Sequence, residues 1–177
     1  RQVYHREPAN QFIHFFGVPG ILWSLLIFTA LLPVPVLANR IEISIPFAQK
    51  HAITWATVGS IGYSLFYIKI DPFGGSLYSL VIYVMYVSAV RMTQNDLKAA
   101  QKKQDDRHAS DISWTGTGRA LQFAFVVHFL SWYVQIHLGH AIYEGAKPAV
   151  LDSFGGALTS APLFAFYEGL WYLGINK

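Results

Sequence analysis

The sequence predicts an all-α, polytopic membrane helical bundle with four to five transmembrane helices, on three observations. Of 177 residues, 53% are hydrophobic and only 13% are Asp, Glu, Lys or Arg, against about 25% charged in ordinary soluble domains. Uncharged runs of membrane-crossing length recur along the chain, separated by short polar breaks. One polar stretch, Arg91–Arg119, gathers six of the 13 Lys and Arg residues together with four Asp, the composition of a solvent loop between spans. The expected organisation is a single integral-membrane catalytic domain over residues 1–177, with the solvent loop at about 91–119.

No charged residue occurs from Pro8 to Asn39, and Gly17–Ala38 alone supplies 22 residues, about one helical crossing of the hydrocarbon core. The run is too long for a cleavable signal peptide. Pro33 and Pro35 end or kink this helix near Leu32, because proline lacks the N–H and crowds the preceding turn. The second run, Ala52–Ile68, has 17 residues and stops at Lys69 and the turn Asp71-Pro72-Phe73-Gly74-Gly75. The third, Phe73–Val90, closes at Arg91, so the two form a helical hairpin. Ala120–Tyr143 is a fourth run of 24 residues. Phe154–Ile175 is a fifth, shortened or tilted by Pro162 and Glu168. The positive-inside rule sends the Arg91–Arg119 loop to the cytosol. The N-terminal segment and the end of the fourth helix near His140 then meet on the opposite face.

Composition also excludes functions. Cys is absent, which removes disulfides, thiolate nucleophiles and Cys-ligated zinc or iron–sulfur sites. The net charge is only +3, with no dense basic run, so nucleic acid is not a partner. No G-x-S-x-G, P-loop or G-x-G-x-x-G motif occurs. His, Asp and Glu are the strong metal ligands that remain.

Four of the seven His, namely His14, His128, His137 and His140, lie inside uncharged runs, and His5 immediately precedes the first. Ionisable groups are costly in lipid and mark a function or a well-paired interior position. On a helix turning about 100° per residue, His137 and His140 lie some 60° apart and Glu144 about 40° further on, all on one face. His128 points away from His137. A His-x-x-His-x-x-x-Glu face offers imidazole nitrogens to a metal and a carboxylate to ligate or to orient a ring. The alternative is a polar helix end reaching the headgroups. Pro8 suits the first turn of a helix, which leaves His5 in the entry segment and His14 one to two turns inside, with Tyr4, Glu7 and Asn10 as hydrogen-bonding neighbours. Imidazole ligation suits zinc, iron, copper and nickel. Spacing leaves open ferrous iron that binds oxygen and zinc that activates water. His51 and His108 read as surface residues.

The segments Tyr4-His5-x-x-Pro8-x-Asn10-x-x-Ile13-His14-x-x-Gly17-Val18-Pro19, Trp132-x-x-Gln135 and Gly139-His140-x-x-x-Glu144-x-x-x-Pro148-Ala149-x-x-Asp152 closely resemble the fungal 2-hydroxy fatty acid dioxygenases, as does the ending Ala161-Pro162-x-x-x-x-x-Glu168. The resemblance implies a multi-pass enzyme of the endoplasmic-reticulum membrane. It would use Fe2+ and O2 to shorten a 2-hydroxy long-chain fatty acid by one carbon, in phytosphingosine degradation. The family's histidine pattern carries over onto His5, His14 and His140, and helical spacing adds His137 as a fourth metal ligand. Glu144 is the residue to orient a ligand or accept the hydroxyl proton; Tyr4, Asn10 and Gln135 are those to hold the substrate carboxylate. The lipid bilayer is the expected surrounding. A zinc-dependent membrane lipid hydrolase is one alternative, and a non-enzymatic lipid carrier or scaffold is the other.

Overall fold

The computed structural model describes residues 7–37, 40–107, 115–145, 154–172 and 174–175. Helix α1 (Pro8–Ala30) opens as its sequence dictates. The Glu7 carboxylate accepts the Ala9 N–H at 3.2 Å and Pro8 fills the first position, where its missing N–H costs nothing. The helix therefore begins at Pro8, as expected, and it ends at Ala30, before Pro33. Pro33 forms an isolated bridge with Thr54. Between them a minimal antiparallel ribbon, β1 (Glu42–Ile43) and β2 (His51–Ala52), pairs Glu42 with Ala52 and Ile43 with His51.

Helices α2 (Trp55–Ile70) and α3 (Pro72–Arg107) form the expected hairpin. Asp71 makes the turn: its carboxylate accepts the Phe73 N–H at 3.0 Å and the Tyr167 hydroxyl. That hydroxyl holds the Asp71 carboxyl below the usual carboxylate range. Burial, and then the carboxylate itself, push Tyr167 up to about 12. Gly75 is required here because a Cβ would strike the Tyr67 carbonyl.

α3 corrects the predicted solvent loop. It continues as one helix through Arg107, because residues 91–107 contain neither Gly nor Pro and are rich in Ala, Lys, Gln and Arg, good helix formers in water. Gly116 and Gly118, at φ 65° and 81°, then turn the chain into α4 (Arg119–Tyr133). Asp96 of α3, buried, accepts the Ala120 N–H at 3.2 Å and the Thr117 hydroxyl. A carboxylate thus caps α4 where the helix dipole favours negative charge. The chain continues from α4 into a π-helical segment, Val134–Glu144, and ends in α5 (Phe154–Tyr172), which carries Pro162 within it.

Each of the five apolar runs contains a helix, and among the described residues three stretches are long and apolar enough to cross a membrane: Pro8–Ala30, Pro72–Asp105 and Arg119–Tyr143. The helical, membrane-crossing build expected from the sequence is present, and three of the expected four to five spans are identified among these residues. α2, with 16 residues, falls short of the roughly 20 that one crossing takes. α1 is the central helix, packed by all the others. One core cluster joins Leu26 and Ile27 to Tyr86, Val87, Val90 and Ala124; another joins Leu22 to Tyr67, Tyr78, Ile82 and Leu163. Apolar side chains also cover the outside, among them Phe16, Leu65, Val84 and Phe129, a surface suited to hydrocarbon rather than water.

Candidate metal centre

The candidate centre lies where α1 meets the π segment. Asn10 is fully buried, and His14, one turn on, is 8% exposed. His14 Nδ1 stands 3.0 Å from the Asn10 carbonyl oxygen. A carbonyl only accepts, so Nδ1 carries the proton and Nε2 is the basic, lone-pair nitrogen. This is the orientation that a histidine ligand receives from a backbone carbonyl at its second nitrogen. Across from it His140, 4% exposed, sets its ring 4.8 Å from that of His14 at 74°, edge to face. The predicted meeting of the N-terminal helix with His140 is thus present in the structure.

Two glycines admit the contact. A Cβ at Gly139 would collide with the Asn10 amide oxygen and stand 3.5 Å from His14 Cε1. A Cβ at Gly17 would lie 2.7 Å from the Gln135 carboxamide. Gln135, buried, fills that space and donates from Nε2 to the Ser131 carbonyl at 3.0 Å. Asn10, Gln135, His14 and His140 therefore form one buried polar patch between two helices.

The π winding decides which side chains reach it. In an α-helix Gln135 and His140 would diverge by about 140°. With i→i+5 bonds, closed by the Gly145 N–H on the His140 carbonyl, five residues make little more than one turn. Gln135 and His140 then share the α1-facing side. The same winding separates His137 from His140 by about 90° or more, because each turn holds more than four residues. His137 is exposed and rests on Tyr133, ring centres 4.6 Å apart. The expectation that His137 and His140 share a face is thereby corrected, since it assumed α-helical winding.

His5 and Tyr4 lie outside the described residues, as does the Glu144 side chain at the end of the π segment. His128 is held elsewhere. The Trp132 indole N–H donates to its Nε2 at 3.2 Å, so Nδ1 is the donor to Ser24 Oγ at 2.9 Å, and Ser24 donates to the Ile21 carbonyl at 2.8 Å. His51 is likewise tied, between Gln49 and Tyr86. Among the described residues no group of three His, Asp or Glu converges as a metal site. His14 and His140 nonetheless fit the imidazole part of one: two buried nitrogen donors in contact, one with its tautomer fixed. The packing glycines Gly17 and Gly139 were missed as site residues; the signal was their place beside His14, Gln135 and His140 in the motifs.

Fold and site together define a class, a helical chain of membrane-crossing build with a buried imidazole pair between its first helix and a π-wound fourth. The chain belongs to the Mpo1-like family, described as 2-hydroxy-palmitic acid dioxygenase Mpo1-like, which it matches over residues 2–170. It is 22% identical over 171 residues to the 2-hydroxy-palmitic acid dioxygenase MPO1 of Saccharomyces cerevisiae, covering 97% of this chain and 76% of the yeast protein. No solved structure matches it. The resemblance read from the motifs is to this same family.

Proposed function

We propose that the protein is a ferrous-iron dioxygenase of the endoplasmic-reticulum membrane. It converts a 2-hydroxy long-chain fatty acid and O2 into the acid one carbon shorter, CO2 and water, in the breakdown of phytosphingosine. The observation that carries this reading is the buried His14–His140 pair, with the His14 tautomer set for ligation, in a chain of the Mpo1-like family. The relative's name supplies the substrate class, a 2-hydroxy acid.

In the reaction the C1–C2 bond breaks, C2 rises from alcohol to carboxylic acid and C1 leaves as CO2. The electrons released equal those that take one O2 to the level of water, so no further reductant is needed. His14 and His140, with His5 as a third ligand, would hold ferrous iron, which would supply the activation of O2. His137, facing outward, drops out of the ligand set. The other work falls to the chain. Asn10 and Gln135 lie beside the imidazoles and bring amide donors for the substrate carboxylate. Glu144, four residues beyond His140, is the group to accept the 2-hydroxyl proton. The tight approach at Gly17 and Gly139 excludes water from the buried patch, which strengthens each of these contacts. The apolar exterior receives the alkyl chain from a bilayer.

Elemental analysis of anaerobically purified protein, followed by O2 uptake in a single turnover with a 2-hydroxy C16 acid, tests the reading. Iron near one per chain, O2 consumed and a C15 acid formed is the expected result. Zinc without O2 uptake would point instead to hydrolysis, and no retained metal to a lipid carrier or scaffold.

A further inference from the structure

The seam between α2 and α3 contains a line of hydroxyls that the proposed reaction does not use. Thr57, Ser60, Ser64 and Tyr67 recur at i, i+3, i+7 and i+10 along α2, the spacing of one helix face. Across the hairpin, Thr57 meets Tyr86 and Tyr67 meets Tyr78. Both ends of the seam are satisfied. At one, the His51 Nδ1–H donates to the Gln49 carbonyl, so Tyr86 donates to His51 Nε2 at 2.8 Å and accepts from Thr57 at 2.8 Å. At the other, Tyr167 donates to Asp71.

The middle is different. Ser60, Tyr67 and Tyr78 are 8%, 0% and 1% exposed, and none of their hydroxyls has a hydrogen-bond partner among the described residues. Ser60 is informative because other helical hydroxyls in this chain turn back onto their own helix. Ser24, Ser79, Ser88 and Thr93 all donate to carbonyls three or four residues earlier, the default for a hydroxyl with nothing else to bond. Ser60 forgoes that bond. The Tyr67 ring packs 5.6 Å from that of Tyr63, one turn nearer the N-terminus of α2 and so on the Ser60 side, as helical aromatic side chains tend to do. Three hydroxyls buried without partners would each cost the full desolvation of the group, a burden rarely left uncompensated.

We propose that this seam binds water, as a short file that bridges Ser60, Tyr67 and Tyr78. Ser60 and Tyr67 stand about 10 Å apart along the α2 axis, a span that the Tyr67 side chain closes in part and water completes. The guest is neutral, because the packed neighbours Leu22, Ile82, Leu163 and Phe166 offer no charge to balance an ion, and the Asp71 carboxylate at the end of the seam is engaged by Tyr167 and the Phe73 N–H. Water that makes two to four bonds to such groups is part of a structure rather than a contaminant of it. The inference is independent of the proposed reaction.

X-ray radiolytic footprinting of the whole protein in detergent tests it, because water bound against a buried side chain is split in place and hydroxylates it. Tyr67 and Tyr78 are expected to be labelled at rates of the same order as exposed Tyr133, while Leu26 and Ile27, buried in the other cluster, are not. In parallel, Tyr67→Phe and Tyr78→Phe, which keep the ring, should each lower Tm by about 2–4 °C by removing a bridged hydroxyl. Tyr67 and Tyr78 as unlabelled as Ile27, or Phe variants as stable as the parent, would each overturn the proposal.

Discussion

His128 and the His14–His140 pair lie in the same bundle, flanked by the same central helix, yet their chemistry is opposite. His128 has both nitrogens consumed in a directed chain from Trp132 through Ser24 to the Ile21 carbonyl. His14 places Nδ1 on a carbonyl of its own helix and sets its ring edge to face against a second imidazole. A place inside an uncharged run therefore does not by itself mark a ligand. What separates the two places is the company each ring keeps: His128 sits in a Trp–His–Ser chain, whereas His14 packs against a second imidazole that shares its coordination chemistry.

The comparison breaks most sharply if the pair is removed. His14→Ala and His140→Ala should each abolish metal retention and turnover together while leaving the helical circular dichroism unchanged. Full activity in either variant would sink the assignment. Next in size is Gly139→Ala. The new methyl collides with the Asn10 amide, displaces the π segment from α1, and should lower turnover about 10–100-fold, the cost of disturbing the groups that orient a ligand. Its stability penalty should be about 1–3 kcal/mol, typical of overpacking. Unchanged turnover would show that the close approach of the two helices does not set the imidazole geometry.

Much of this contrast was legible in the sequence. Uncharged runs located the five helical elements, Pro8 in a first turn placed His14 inside α1, and the order of the runs brought His140 to it. What escaped prediction depends on packing between elements. The π winding follows from seating Gln135 and His140 together against α1, which no period along one helix reveals; a helix counted at 100° per residue paired His140 with His137 instead. α2 is not among the three identified spans for a local reason, since it is a short, hydroxyl-lined helix supported by α3. The extent of α3 was hidden by its charge, because residues 91–107 are polar enough for a loop yet contain nothing that breaks a helix.

Smaller effects sharpen the same contrast. His128→Phe should cost about 1–3 kcal/mol of stability, since Trp132 and Ser24 each lose a partner, with turnover changed only a few-fold; a loss of metal would place His128 in the centre after all. The Asp71–Tyr167 link gives a pH dependence. Asp71 titrates lower in the folded chain than in the unfolded one, so its contribution is complete above the ordinary carboxylate range and fades as pH falls through the lowered value. Thermal unfolding followed from neutral to acid pH should fall less steeply in Tyr167→Phe than in the parent. Identical slopes would mean that the hydroxyl does not hold the carboxylate.

The smallest expected effect is the most telling about the π segment. His137 sits three residues from His140, yet it is exposed and touches Tyr133 rather than α1. His137→Ala should therefore leave metal content and turnover near those of the parent, with stability changed by no more than about 0.5 kcal/mol, as at an ordinary surface position. A loss as deep as that of His140→Ala would mean that the segment rewinds to an α-helix when metal binds, which would bring His137 back to within about 60° of His140. Metal stoichiometry measured on the two variants side by side separates a fixed π winding from a ligand-driven one, because only the second makes both histidines indispensable.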